Sequence, residues 1–157
     1  MRQILIYILI GALLLALQAT LMRFFSIESV IPDIVVIWLV YVSLREGQIA
    51  GSIAGFFAGL ILDFVSGDFL GLSALTKSLC GFFAGYFYDE FKTSQTFGTY
   101  RFFFAVLLSS LLHNVVYFGV YLFGTEISML RLFIQFGLGT SAYTAALSII
   151  PVLWKQK

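Results

Sequence analysis

Charged residues are scarce in this chain. Asp, Glu, Lys and Arg make up 11% of its 157 residues, whereas 61% are hydrophobic and the mean hydropathy is +1.01. A soluble domain of this length could not bury that much apolar surface, so the composition indicates a membrane protein. The net charge is +1, and the basic residues are scattered singly between apolar blocks, which excludes a basic surface for nucleic acid.

Cysteine and histidine occur once each, as Cys80 and His113. One cysteine cannot form an internal disulfide, and one imidazole with an isolated thiol cannot complete a metal site. P-loop, serine-hydrolase and zinc-protease motifs are also missing. We therefore predict no metal, no cofactor and no catalytic residues. An enzyme of membrane lipid metabolism is the enzymatic alternative, but it needs polar residues clustered near one membrane face, and here they are dispersed.

Six apolar blocks alternate with short polar segments. Because backbone groups must pair within lipid, each block is expected to be a transmembrane helix in one all-α domain covering 1–157. The second block covers only about 21 Å of a hydrocarbon core of about 30 Å, so it either recruits its flanks or forms a re-entrant pair with the third block. The blocks are roughly 4–22, 31–44, 49–65, 72–88, 101–123 and 130–153.

The basic residues predict the orientation of the chain. With six spans and a cytoplasmic N-terminus, six basic residues fall in cytoplasmic segments and two fall in outer segments. This positive-inside bias predicts that both termini lie in the cytoplasm. The cytoplasmic set is Arg2, Arg45, Lys92, Arg101, Lys155 and Lys157, and the outer set is Arg23 and Arg131.

Small residues form stripes on two of the predicted helices. Helices in lipid associate through close backbone approach, which residues without large side chains permit. Each stripe therefore predicts a contact with another helix, either within this chain or in a second copy or a partner protein. The stripes are Gly47, Gly51, Gly55 and Gly59, which begin just before the third block and continue through it, and Ala12 and Ala16 in the first block.

Two charged residues, Asp63 and Lys77, interrupt apolar blocks near the predicted outer surface. Counted from the outer ends of their spans, their depths differ by only about 3 Å. A charge within a span is costly and suggests a partner or a task, so we predict a candidate ion pair between them. The alternatives are separate extension of both groups to the membrane surface, or a proton-relay or ligand-binding role.

The fifth block carries one polar and aromatic face. Its members are spaced four residues apart, with Asn114 beside them, and such groups commonly join membrane helices by hydrogen bonds. We therefore predict interhelical hydrogen bonding for this face rather than catalysis. The members are Ser109, His113, Tyr117 and Tyr121.

Recognisable motifs run through 32–88. Pro32 and Asp33 open an apolar block, and the segments YVSLREGQIAGSIAGFFAGLILDFVSG, FLGLSAL and GFFAGYF follow. On these motifs the chain resembles the MreD rod shape-determining family of bacterial membrane proteins. The residues carried over by the resemblance are Pro32, Asp33, Arg45, Gly47, Gly55, Gly59, Asp63, Gly67, Gly71 and Leu72.

The resemblance implies a non-enzymatic scaffold subunit of the cell-elongation machinery, located in the bacterial inner membrane and supporting lateral peptidoglycan synthesis. The implied partners are the periplasmic protein MreC, the cytoskeletal protein MreB, a RodA-type polymerase and a class B penicillin-binding protein.

The family is also similar in fold to the substrate-binding subunits of energy-coupling-factor vitamin transporters. This similarity supplies the alternative function, a membrane subunit for uptake of a vitamin or another small molecule. The stripe of Ala12 and Ala16 would suit that function, because such subunits dock small-residue faces on a transmembrane coupling subunit. Similarity of fold does not by itself establish function.

Overall fold

The computed structural model describes residues 2–20, 32–67, 69–88, 100–121 and 137–149. Within these ranges the chain forms helices and turns and has no strand, which confirms the predicted all-α fold. The helices are α1 (Arg2–Thr20), α2 (Ile34–Ser66), α3 (Leu72–Gly85), α4 (Tyr100–Tyr121) and α5 (Gly139–Leu147).

Helix α2 reverses its direction at Gly47, where φ is 86° and ψ is −177°. A Cβ atom added to Gly51 would lie 2.1 Å from Ser43 Oγ. Residues eight apart in a straight helix are separated by about 12 Å, so the two halves of α2 fold back on each other. The reversal lies in the polar segment between the second and third apolar blocks. Essentially only glycine adopts this combination of φ and ψ.

Three helical segments in the described part of the chain are long and apolar enough to cross a membrane. They are α1, α2 counted over both of its halves, and the stretch Phe102–Val120 of α4. These segments support the prediction of a membrane protein. The number of about six spans and the similarity to the transporter subunits remain predictions, and both ends of the last apolar block, 130–136 and 150–153, lie outside the described residues.

Helix α3 packs antiparallel against the second half of α2 at backbone-to-backbone distance. A Cβ atom added to Gly55 would lie 2.3 Å from the carbonyl oxygen of Lys77, and one added to Gly59 would lie 2.3 Å from that of Ser73. Real Cβ atoms essentially never approach so closely, so the two helices meet where side chains are missing. This contact between α2 and α3 is named the glycine seam.

The other small residues of the stripes have different positions. Gly51 continues the seam, because its Cβ would lie 2.8 Å from the carbonyl oxygen of Gly81. Gly47 instead provides the conformation of the bend. Ala12 and Ala16 are exposed on α1, and that helix approaches α2 through Gly11, where an added Cβ would lie 2.7 Å from the Trp38 ring.

The main apolar core lies where the first half of α2 meets α3 and α4. It buries large aliphatic side chains from α2 against smaller residues of α3 and the start of α4, while many large apolar side chains on the outside of the bundle remain exposed, as expected for a lipid-facing surface. The buried members are Val36, Leu39, Val40, Leu44, Cys80, Ala84, Phe102, Ala105 and Val106.

Candidate functional site

Four polar residues from four parts of the chain converge inside the bundle. Lys77 of α3 forms an ion pair and hydrogen bond with Asp33 Oδ2, just before α2. His113 of α4 places its Nε2 atom 3.7 Å from the same oxygen. Thr144 of α5 accepts a hydrogen bond from the backbone N–H of Asp33 at 3.0 Å. Asp33, Lys77, His113 and Thr144 are called the polar cluster below.

Asp33 is held in place by its position at the start of α2. Its Oδ1 atom accepts a hydrogen bond of 3.1 Å from the backbone N–H of Val36, which caps the helix. Gln18 of α1 secures the same turn, donating to the carbonyl oxygen of Pro32 and accepting from the N–H of Ile34, each at 3.1 Å. One carboxylate oxygen therefore caps α2, and the other is directed to the cluster.

The polar cluster is largely shielded from the exterior. The side chain of Lys77 is 3% exposed and that of Asp33 is 13% exposed. An unpaired charge at such depth costs several kcal/mol, so each of these charges requires the other. The pair has no net charge, and it joins the start of α2 to the middle of α3.

Asp63 caps the following helix. Its carboxylate accepts three backbone hydrogen bonds at the start of α3, from the N–H groups of Gly71 at 2.8 Å, Ser73 at 3.1 Å and Ala74 at 3.3 Å. The first N–H groups of a helix have no partner within it, and a carboxylate is a favourable acceptor for them. The buried charge of Asp63 is thereby compensated by the start of α3.

The structure differs from the predicted pair of Asp63 and Lys77. The ammonium group of Lys77 binds Asp33, and the carboxylate of Asp63 binds backbone amides. Asp63 lies where α2 ends and α3 begins, next to N–H groups that need acceptors. The reversal of α2 brings Asp33 to Lys77. The depth of a residue within the membrane does not predict this reversal.

The polar face of α4 contacts α5 as well as α3. The Nδ2 group of Asn114 donates to Ser141 Oγ at 2.8 Å and to the carbonyl oxygen of Gly137 at 3.3 Å. These bonds between helices are of the kind predicted for this face. His113 stacks on Tyr117, with ring centroids 5.9 Å apart. The side chain of Tyr121 lies outside the described residues.

The comparison with protein families covers the whole chain. Residues 1–157 match the family model described as rod shape-determining protein MreD. The chain belongs to the MreD family. Its role therefore lies in rod-shape determination, and its apolar helices make it a membrane protein. Comparisons with curated proteins and with solved structures gave no match.

The glycines carried over by the MreD resemblance shape the connection between α2 and α3. Gly67 ends α2 in the left-handed region at φ 73°, and its N–H donates to the carbonyl oxygen of Asp63 at 3.0 Å. Gly71 precedes α3 with φ 94°. Both positions favour glycine because other residues rarely adopt these angles. In this MreD chain they direct Asp63 and the start of α3 toward each other.

Arg45 lies at the opposite end of the first half of α2, beside the bend. Its guanidinium carbon is 5.6 Å from the centre of the Tyr41 ring, and Tyr41 packs edge-on against Tyr7 of α1. Tyr7 also donates a hydrogen bond of 3.2 Å to Glu46. These contacts fasten α1 to the bend, so Arg45 belongs to a different group of residues from the polar cluster.

Sequence reasoning missed two residues of the site, Gln18 and Thr144. Gln18 binds the backbone on both sides of Asp33, Thr144 binds the N–H of Asp33 itself, and both side chains occur within long apolar blocks. A polar residue in an apolar block was the available signal, and it does not tell which turn the residue will contact. No group of three His, Cys, Asp or Glu residues that could hold a metal occurs within the described ranges.

Proposed function

We propose that this MreD family member is a non-enzymatic scaffold subunit of the bacterial cell-elongation machinery, supporting lateral peptidoglycan synthesis. The family match over residues 1–157 is the observation that carries the proposal. A scaffold requires a stable bundle with surfaces for other membrane proteins, and it requires no turnover of a substrate.

The contacts of the ionic groups support a structural role. Asp33 and Lys77 satisfy each other, and Asp63 is held by three backbone N–H groups. Catalytic groups usually face a cleft where a substrate reaches them. Here the charges instead connect α2 to α3, which stabilises the arrangement of helices that a partner protein would recognise.

The proposed partners are those of the elongation machinery, namely an MreC-type protein, an MreB-type protein, a RodA-type polymerase and a class B penicillin-binding protein. The exposed face of α1 is the proposed surface for a partner helix, because Ala12 and Ala16 are exposed there and permit close approach. The glycine seam is occupied by α3 and is not proposed for this purpose.

Co-purification tests this assignment. The tagged protein, extracted from native membranes in mild detergent, should bring down the MreC-type protein and the RodA-type polymerase, identified by mass spectrometry. The double variant Ala12→Leu, Ala16→Leu should lose them, whereas Gly119→Leu should retain them, because it adds the same side chain at an open position of α4. Recovery of no elongation protein with the unmodified chain would contradict the proposal.

We further propose that the protein lies in the inner membrane with both termini in the cytoplasm, as the distribution of basic residues indicates. Single cysteines placed at Lys92, Glu28 and Glu126 in a Cys80→Ser background test the orientation. An impermeant thiol reagent added outside the membrane should label positions 28 and 126 but not 92. The reverse pattern would contradict the proposed topology.

The second candidate function is a substrate-binding subunit for uptake of a vitamin or another small molecule. One observation favours it, because Asp33, Lys77 and His113 converge, and ligand sites commonly combine an apolar wall with a few convergent polar groups. Thermal unfolding of the purified protein with a panel of vitamins tests it. A saturable rise in Tm with one compound, abolished by Lys77→Met, would favour uptake over the scaffold.

A further inference from the structure

The bend of α2 lies at one end of the bundle, together with polar and aromatic side chains. Helix α3 ends at the same level, because a Cβ atom added to Gly85 would lie 2.5 Å from the Cα atom of Gln48. Tyr86 and Tyr88 follow α3 there, and they are 76% and 39% exposed. Tyrosine is enriched where a membrane protein meets the lipid headgroups. This end of the bundle therefore has the composition of the headgroup level, whichever orientation the chain has.

Arg45 and Glu46 present opposite charges side by side at the bend, and both residues are exposed. The Tyr7 hydroxyl of α1 donates a hydrogen bond to Glu46 Oε1 at 3.2 Å and accepts one from Arg45. The guanidinium carbon of Arg45 also lies 5.6 Å from the centre of the Tyr41 ring. The two charged groups share one hydroxyl group as a partner, so they lie close together.

Packing between α1 and α2 fixes the aromatic platform beneath these charges. Tyr41 packs edge-on against Tyr7, with ring centroids 6.3 Å apart. Both tyrosines are partly buried, whereas the charged residues beyond them are exposed. Because the rings hold the guanidinium and the carboxylate in place, binding of a ligand would cost little additional side-chain ordering.

A cation beside an anion is complementary to a ligand that carries both charges. An exposed guanidinium has five N–H donors and suits a phosphate, and an exposed carboxylate suits an ammonium group, so each can bind a ligand in addition to Tyr7. Phosphoethanolamine contains a phosphate and a primary ammonium joined by an ethylene link. A glycerol headgroup would instead offer the carboxylate only neutral hydroxyl donors, and a choline headgroup would offer it no N–H or O–H donor.

We propose that the bend binds the headgroup of a membrane lipid of the phosphatidylethanolamine type, with Arg45 holding the phosphate and Glu46 holding the ammonium. The acyl chains of this lipid lie along α1, where Ile4 and Ile8 are 61% and 62% exposed on either side of Tyr7 in the sequence. The bound lipid bridges α1 and the bend of α2, which the contacts of Tyr7 already join.

Thermal unfolding of the full chain with added lipids tests the proposal. The delipidated protein in mild detergent is titrated with phosphatidylethanolamine, phosphatidylglycerol or phosphatidylcholine of matched acyl chains. Phosphatidylethanolamine should raise Tm at about tenfold lower concentration than the other two, because only its headgroup gives Glu46 a charged N–H donor. Equal potency of the three lipids would overturn the proposal.

Soluble phosphoethanolamine distinguishes a lipid site from a site for a free solute. It should raise Tm only at a far higher concentration than the lipid, because it has no acyl chains to pack along α1. Equal potency of the soluble headgroup and the lipid would overturn the assignment to a membrane lipid.

Three variants assign the roles of the charges, and each lipid effect is measured against the variant's own lipid-free Tm. Glu46→Gln should require about tenfold more phosphatidylethanolamine and lose the preference over phosphatidylglycerol, while Arg45→Gln should weaken the effect of all three lipids. Arg2→Gln is the matched control, because it removes another exposed cation of α1, five residues before Tyr7, and should keep the preference. Retention of the preference in Glu46→Gln, or its loss in Arg2→Gln, would overturn the proposal.

Discussion

One added methyl group at Gly55 should disrupt the glycine seam. In Gly55→Ala the new Cβ would lie 2.3 Å from the carbonyl oxygen of Lys77, 2.6 Å from its carbonyl carbon and 2.9 Å from the nitrogen of Ser78. Ordinary contact begins at 3.4 Å, so α2 and α3 would have to separate locally by about 1 Å. All three atoms belong to the backbone, and no rotation of a side chain can relieve the contact.

The expected loss in the free energy of unfolding follows from comparison with a second glycine. Gly119→Ala adds the same methyl group within α4, where nothing lies within 4 Å of the new Cβ. Both changes gain the same helix propensity of up to ~1 kcal/mol, so this contribution cancels between them. The remaining difference is the cost of overpacking, about 1–3 kcal/mol, and we expect the upper end because the neighbouring atoms are backbone.

Unfolding of the purified variants by titration with SDS in mixed micelles measures this difference. Gly55→Ala should unfold at lower SDS than the unmodified protein, and Gly119→Ala should unfold at the same or higher SDS. Equal free energies of unfolding for the two variants would refute the close contact between α2 and α3.

The same titration tests three further contacts. Lys77→Met or Asp33→Asn should each lower the free energy of unfolding by about 3–5 kcal/mol, because the other charge is left unpaired. The double variant should lower it by much less than the sum of the two. Additive losses would show that the two groups do not interact. Asp63→Ala should lower the free energy of unfolding by about 0.5–2 kcal/mol through loss of the cap on α3. Asp63→Asn should lower it less, because its side-chain oxygen can still accept a hydrogen bond. Equal losses would contradict capping by hydrogen bonds to the Oδ atoms. Gly47→Asn should lower the free energy of unfolding by about 1–3 kcal/mol, because asparagine does not tolerate the backbone angles of the bend. Gly67→Asn should lower it clearly less, because asparagine tolerates the left-handed region that Gly67 occupies. Equal losses would contradict the reversal of α2.

The sequence was sufficient to predict a bundle of apolar helices and a close contact along the glycine stripe. Spacing by four residues indicates that another helix lies against Gly55 and Gly59, because it places both on one face. It does not identify that helix. The seam with α3 depends on the turn that contains Gly67 and Gly71, and the spacing of the stripe does not report where that turn leads the chain.

The candidate site was harder to predict from the sequence. Lys77 and Asp63 have similar depths in the membrane, but depth gives a residue's position along the membrane normal only. Asp33 also lies at a depth that Lys77 can reach. The choice between the two carboxylates depends on the rotation of each helix and on competing backbone N–H groups, which bind Asp63. Thr144 reaches Asp33 across more than a hundred residues of chain. No local pattern reports such a contact.

Depletion of the protein from a rod-shaped native host tests the proposed function most directly. The scaffold account predicts that cells round up and swell, that supplied vitamins do not restore their shape, and that the Gly119→Ala variant restores rods while Gly55→Ala does so poorly. Cells that remain normal rods but require a nutrient would contradict the account and support the uptake function.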